Sequence, residues 1–145
     1  MSPPVDELTI GANGEEVRRA SEWLDATCHR RGVPQPQAER LVLCLNEVLA
    51  NVIDHGGTAA QSEPIRLRLE VGIDPEHREA SVTVSDAGVA FNPLSAPTRA
   101  LPRTLEEAMP SGMGLEIIRR CASSLAYRHE GGRNHFTFGT RWGLR

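Results

Sequence analysis

The chain has 145 residues, 39% of them apolar and 24% charged, with a net charge of −3. It is long enough for one domain with a sizeable core, and too evenly charged for a nucleic-acid footprint or a basic membrane patch. No apolar run would cross a bilayer, and the opening MSPPVDELTI lacks the basic and apolar regions of a secretory signal. A single cytoplasmic domain over 1–145 is therefore expected. Cys28, Cys44 and Cys121 are too widely spaced for a disulfide framework or a zinc site and read as reduced packing residues.

Taken in chain order, ELTI is a short candidate strand. Residues 15–30 read as a helix, with Val17, Ala20, Leu24 and Cys28 on one face and Gly32 as its stop. Pro36 is placed to start a second helix over 37–54, whose wide apolar stripe includes Leu41, Cys44, Leu45, Val48, Leu49, Val52 and Ile53. Gly56 and Gly57 would end it. IRLRLEV, 65–71, alternates as a half-buried strand, and ASVTVSD, 80–86, returns across a hairpin. Residues 92–111 hold four prolines and little periodicity, which marks a functional lid or a disordered segment. A third helix is expected to begin near Gly114, and AYRHEGGRNHFTFGTRW folds as a hairpin across Gly131 and Gly132. The order β-α-α-β-β-loop-α-β-β predicts an α/β (α+β) two-layer sandwich, a mixed, mostly antiparallel sheet with helices on one face.

Three polar clusters interrupt this pattern. In LCLNEVLANVIDHGG, Glu47 and Asn51 lie four residues apart on the second helix, offset by about 40°, and His55 continues their line. Either this is a narrow solvent-facing stripe, or it is a carboxylate and an amide lining a cleft, of the oxygen-donor type that suits Mg²⁺ with phosphate. In VSDAGVAFNP, Asp86 ends a buried strand and Gly88 follows. That is either a plain turn, or an acceptor for an exocyclic amine beside a backbone that a flat ring can approach. In SGMGLEIIRR, Gly112 and Gly114 flank a helix start, as a flexible joint or an anion site of free N–H groups. His29, His77, His129 and His135 have no metal-ligand spacing, and Trp23 and Trp142 read as packing residues.

In combination these clusters resemble the Bergerat ATP-binding fold of the gyrase, chaperone and histidine-kinase (GHKL) superfamily, over roughly residues 15–142. NEVLANVIDHG resembles its N box, and DAGVAFNP and SGMGLEII its two glycine boxes. The C-terminal stretch GLEIIRRCASSLAYRHEGGRNHFTF is similar to the anti-sigma-factor serine kinases of bacteria. The resemblance implies that Asn51 holds Mg²⁺ against the phosphates of ATP and that Glu47 is the general base. Asp86 would read the adenine amine with Gly88 beside the ring. Gly112, Met113, Gly114 and Leu115 would cradle the phosphates, and Thr137 would support the adenine end. Residues 92–111 would be the ATP lid, from which Arg99 or Arg103 reaches the γ-phosphate. The implied activity is phosphorylation of a serine on a STAS-type anti-sigma factor antagonist. A sigma factor or other regulator would be the sequestered partner, and a homodimer the assembly. A non-catalytic ATP-binding module that acts by sequestration is the alternative, and Glu47 with Asn51 argues against it.

Overall fold

The structure is a computed structural model that describes residues 5–55, 62–73, 77–90 and 110–143. Chain order is β1 (Val5–Ile10), α1 (Gly14–Arg30), α2 (Gln35–His55), β2 (Ile65–Ile73), β3 (His77–Asp86), α3 (Pro110–Cys121), β4 (Ser124–Glu130) and β5 (Arg133–Gly143). The expected lid lies, but for its last two residues, outside the described residues, as do Arg99, Arg103 and the two glycines expected to end α2.

Local chemistry sets the element ends. Asn13 caps α1, its side-chain oxygen accepting from the Glu16 N–H at 3.0 Å. Glu16 in turn accepts from the Gly11 N–H and pairs with Arg19 at 2.7 Å. The Arg19 guanidinium first, and then the Gly11 N–H, holds the Glu16 carboxyl down at about 2. At the other end Gly32 takes φ 79°. The Val33 N–H reaches the Cys28 carbonyl at 2.9 Å, closing the helix in a left-handed stop. The β4–β5 turn uses Gly131 and Gly132 at φ 63° and 75°, the backbone a two-residue hairpin needs.

The sheet order is β1-β2-β3-β5-β4. All four pairings are antiparallel, where a mixed sheet was expected. The reason is β5. The crossover through α3 makes β4 parallel to β3, but β5 slots between them and pairs antiparallel with both. Parity then assigns the faces. Val82, Val84 and Asp86 of β3 share one face with Asn134, Phe136 and Phe138 of β5. That face meets the helices, α2 packing on β3 and β5, with α1 and α3 on either side of α2.

The core between the layers is built from Leu24 and Cys28 of α1, Leu41, Leu45 and Leu49 of α2, Ile118 of α3 and the sheet residues Leu67, Leu69, Val82 and Phe138. Each large apolar side chain buried there contributes about 1.5–3 kcal/mol. Trp23 and Trp142 pack on the margin of this cluster. Cys28 and Cys44 are free and buried, and burial pushes both thiols up to about 12, as inert packing residues. Among the described residues, no helix is long and apolar enough to cross a membrane.

Candidate functional site

The site is built at one end of the sheet and along the adjoining edge of α2. Asp86 is the last residue of β3 and stands directly opposite Asn134 of β5. Its carboxylate is buried, at 5% exposure. Oδ1 accepts from the Gly88 N–H at 2.8 Å and from Asn134 Nδ2 at 3.2 Å. The first bond folds residues 86–88 into a tight turn, and Gly88 is buried with it. Both bonds go to Oδ1, and among the described residues Oδ2 is the oxygen open to an incoming donor.

Asn134 fastens this corner. Nδ2 also donates to the Val89 carbonyl at 2.9 Å, and Oδ1 accepts from the Tyr127 hydroxyl. One amide thus ties β4, β5 and the turn after β3. Sequence reasoning missed it, although parity with Phe136 and Phe138 puts Asn134 on the core face two residues after the glycine turn. Thr137 is the corresponding correction. Its odd position places it on the outer face of the sheet, where its hydroxyl meets that of Thr83 at 2.9 Å. It does not join Asp86.

Glu47 and Asn51 come from α2, one turn apart on the same edge, and the helix packs on the same face of the sheet that carries Asp86. Asn51 is 9% exposed, and its amide makes no hydrogen bond among the described residues. Glu47 is half-buried and has neither hydrogen bond nor ion pair among them. Desolvation raises its carboxyl above the usual range. A half-buried carboxylate without a partner costs stability, and such groups cluster where a proton must be taken or given.

The third cluster differs from expectation. α3 begins at Pro110 rather than near Gly114, because proline presets the first helical residue. The backbone from Gly112 to Leu115 therefore lies within the first turns. Ser111 and Gly112 carry N–H groups of the helix start, while that of Gly114 is in range of an intrahelical carbonyl. A helix start without acidic residues in its first turn still favours an anion.

The donor set fits the chemistry it was tested for. A buried carboxylate with one oxygen unclaimed suits an amine on a flat ring. An amide without a partner among the described residues suits a hard cation that takes the rest of its shell from water and phosphate. A larger hollow of about 620 Å³ lies on the outer face of the sheet, among Arg66, Arg68, Thr83 and Arg128, and holds none of the expected site residues.

The chain as a whole has recognisable relatives. The model of the histidine kinase-like ATPase domain matches residues 10–139. The chain therefore belongs to the histidine kinase-like ATPase family, and ATP is the nucleotide its site is built for. More particularly, it is 31% identical over 137 residues to the serine/threonine-protein kinase BtrW of Bordetella bronchiseptica, covering 94% of each chain. Among solved structures it resembles the RsbU and RsbW domains of Rv1364c from Mycobacterium tuberculosis, with TM-score 0.68 and 16% identity. That match covers 98% of this chain and 34% of the other, so the chain spans about a third of that protein. The SiaB–SiaC complex from Pseudomonas aeruginosa matches with TM-score 0.54 and 12% identity, covering 94% and 89%. At these identities the two structures speak for the fold.

Proposed function

We propose that the chain is an ATP-dependent protein serine/threonine kinase of the anti-sigma, partner-switching type. The observation that carries this reading is Glu47. It is a half-buried carboxylate, unpaired among the described residues, one turn before Asn51, which has no partner among them, on the helix that packs over the Asp86 face. A module that only held nucleotide would gain nothing from that costly group. The similarity to BtrW, a serine/threonine-protein kinase, supports the same activity.

In this reading Asp86 accepts a hydrogen bond from the adenine amine through Oδ2, with Asn134 and the Gly88 N–H holding Oδ1. Asn51 holds Mg²⁺, which when bound with ATP neutralises phosphate charge. The backbone at Gly112 and its neighbours faces the phosphates. Glu47 takes the proton of the acceptor hydroxyl, and its raised pKa makes it a better proton acceptor than an ordinary carboxylate. On the strength of the motif resemblance, the acceptor is a serine of a STAS-type anti-sigma factor antagonist. The second partner is a sigma factor or other regulator, bound by a homodimer. Phosphate placed on the antagonist's contact surface would release it by charge repulsion and free the kinase for that second partner.

The test is phosphotransfer from Mg²⁺-ATP to the STAS-type protein encoded nearest to this chain, with the modified residue mapped by mass spectrometry. Phosphoserine with the wild type and none with Glu47→Ala is the expected result. ATP binding and complex formation without phosphate would leave a sequestering module instead.

A further inference from the structure

Beside the nucleotide site, α1 and α2 leave a groove of about 390 Å³ lined by Asp25, Glu39, Val42, Leu43 and Asn46. Its floor is apolar. Leu43 is 43% exposed, one of two large apolar side chains so open among the described residues. Asn46 closes the inner wall, accepting from the Ser21 hydroxyl at 2.7 Å across the two helices. Asp25 and Glu39 supply charge at the rim. Neither forms an ion pair among the described residues, and Glu39 meets only Gln35 at 3.4 Å. The exposed Arg40 is not part of the lining.

The groove's position gives it meaning. Leu43 and Glu47 are four residues apart on α2, so they are neighbours on one helical edge, offset by about 40° and separated by about 6 Å along the axis. Leu43 is the crest between the groove and Glu47. Whatever grips that crest stands over the carboxylate that the kinase reading makes the base.

We propose that this groove docks the protein substrate, taking an apolar side chain against Val42 and Leu43 and pairing Lys or Arg beside it with Asp25 and Glu39. The inference rests on the kinase reading and adds to it a chemistry for the acceptor. The segment near its phosphorylated serine would carry an apolar residue with basic neighbours. Complementary charge also steers encounter, which suits a partner that must bind and leave repeatedly. An apolar anchor seated in a notch, rimmed by charge, is the usual form of a small interface's energetic centre.

The test uses the full chain and, as acceptor, the STAS-type protein encoded nearest to it. Initial phosphorylation rates are measured against acceptor concentration for wild type, for Leu43→Ser and for the double variant Asp25→Lys/Glu39→Lys. ATP affinity is measured separately by calorimetry. All three positions are exposed, so the variants are expected to fold. The expected result is a KM for the acceptor raised about tenfold in each, with kcat and ATP affinity unchanged. Phosphate transfer with KM unchanged in both variants overturns the groove and leaves the kinase standing. A matching fall in ATP affinity also overturns it, since the effect would then pass through the nucleotide pocket. If the wild type transfers no phosphate, the kinase reading has failed, and calorimetry of the complex decides the groove. Acceptor binding weakened in both variants keeps it, and equal binding overturns it.

Discussion

Replacing Asn134 with alanine removes its hydrogen bonds to Asp86, Gly88, Val89 and Tyr127 at once. The bond to the Asp86 carboxylate, at 3.2 Å, involves a charged acceptor and is worth about 1.5–3 kcal/mol. The bond to the Val89 carbonyl, at 2.9 Å, adds about 1 kcal/mol. The Tyr127 hydroxyl is part-buried and recovers some of its loss by turning to water. The expected destabilisation is therefore about 3 kcal/mol, read from urea unfolding at neutral pH. Affinity for ATP should fall at least tenfold, because the carboxylate and the turn after β3 lose their common anchor. Tyr127→Phe removes only one of these bonds, should cost about 1 kcal/mol, and should leave ATP affinity near wild type. If Asn134→Ala costs less than about 1 kcal/mol, or costs the full amount while ATP binds as before, Asn134 does not position Asp86 for the nucleotide.

Asp86→Asn keeps an acceptor for Gly88 and Asn134 but replaces the unclaimed oxygen by a donor. Calorimetry should show most ATP affinity lost while the thermal midpoint changes little. Glu47→Gln should abolish phosphotransfer yet raise stability. The folded carboxyl lies above its unfolded value of 4.5, so the charged form is the penalised one. Wild-type stability thus falls as pH rises from 4.5 through the folded value, while the amide does not titrate. The melting-temperature gap between variant and wild type should therefore widen from pH 4 to pH 8, and a constant gap would refute the desolvation argument. Gly139→Ala places a methyl 2.7 Å from the Ser124 hydroxyl and 3.2 Å from the Ala80 carbonyl. Chemical unfolding should report a loss of about 1–3 kcal/mol.

Much of this architecture could be read from residue patterns, because local chemistry decides it. The stripe of α2, the alternation of β2 and β3 and the Gly131-Gly132 turn each follow from spacing within a dozen residues. The position of β5 does not. Its insertion between β3 and β4 is a long-range pairing, and the antiparallel character of the whole sheet depends on it. The two glycines point to a helix start near Gly114, whereas Pro110 sets it a turn earlier. Thr137 was chosen by residue type and chain neighbourhood. Counting alternate residues back from Phe138 and Phe136 leads instead to Asn134, on the face that Asp86 shares. The lone states of Glu47 and Asn51 needed coordinates, since spacing shows which residues share an edge and not which of them lack partners.

The place of β5 also bears on synthesis. It is made after the other four described strands, yet it lies inside the sheet, bonded on both sides. Until residues 133–143 leave the ribosome, β3 presents an open edge ending in Asp86, and β4 has nothing to pair with. Such an edge is adhesive, and long-range closure of this kind is slow. The residues that close the sheet also deliver Asn134 to Asp86. Emergence of β5 and assembly of the Asp86–Asn134 corner are thus one event, and a nascent chain short of β5 would meet ATP with Asp86 unanchored.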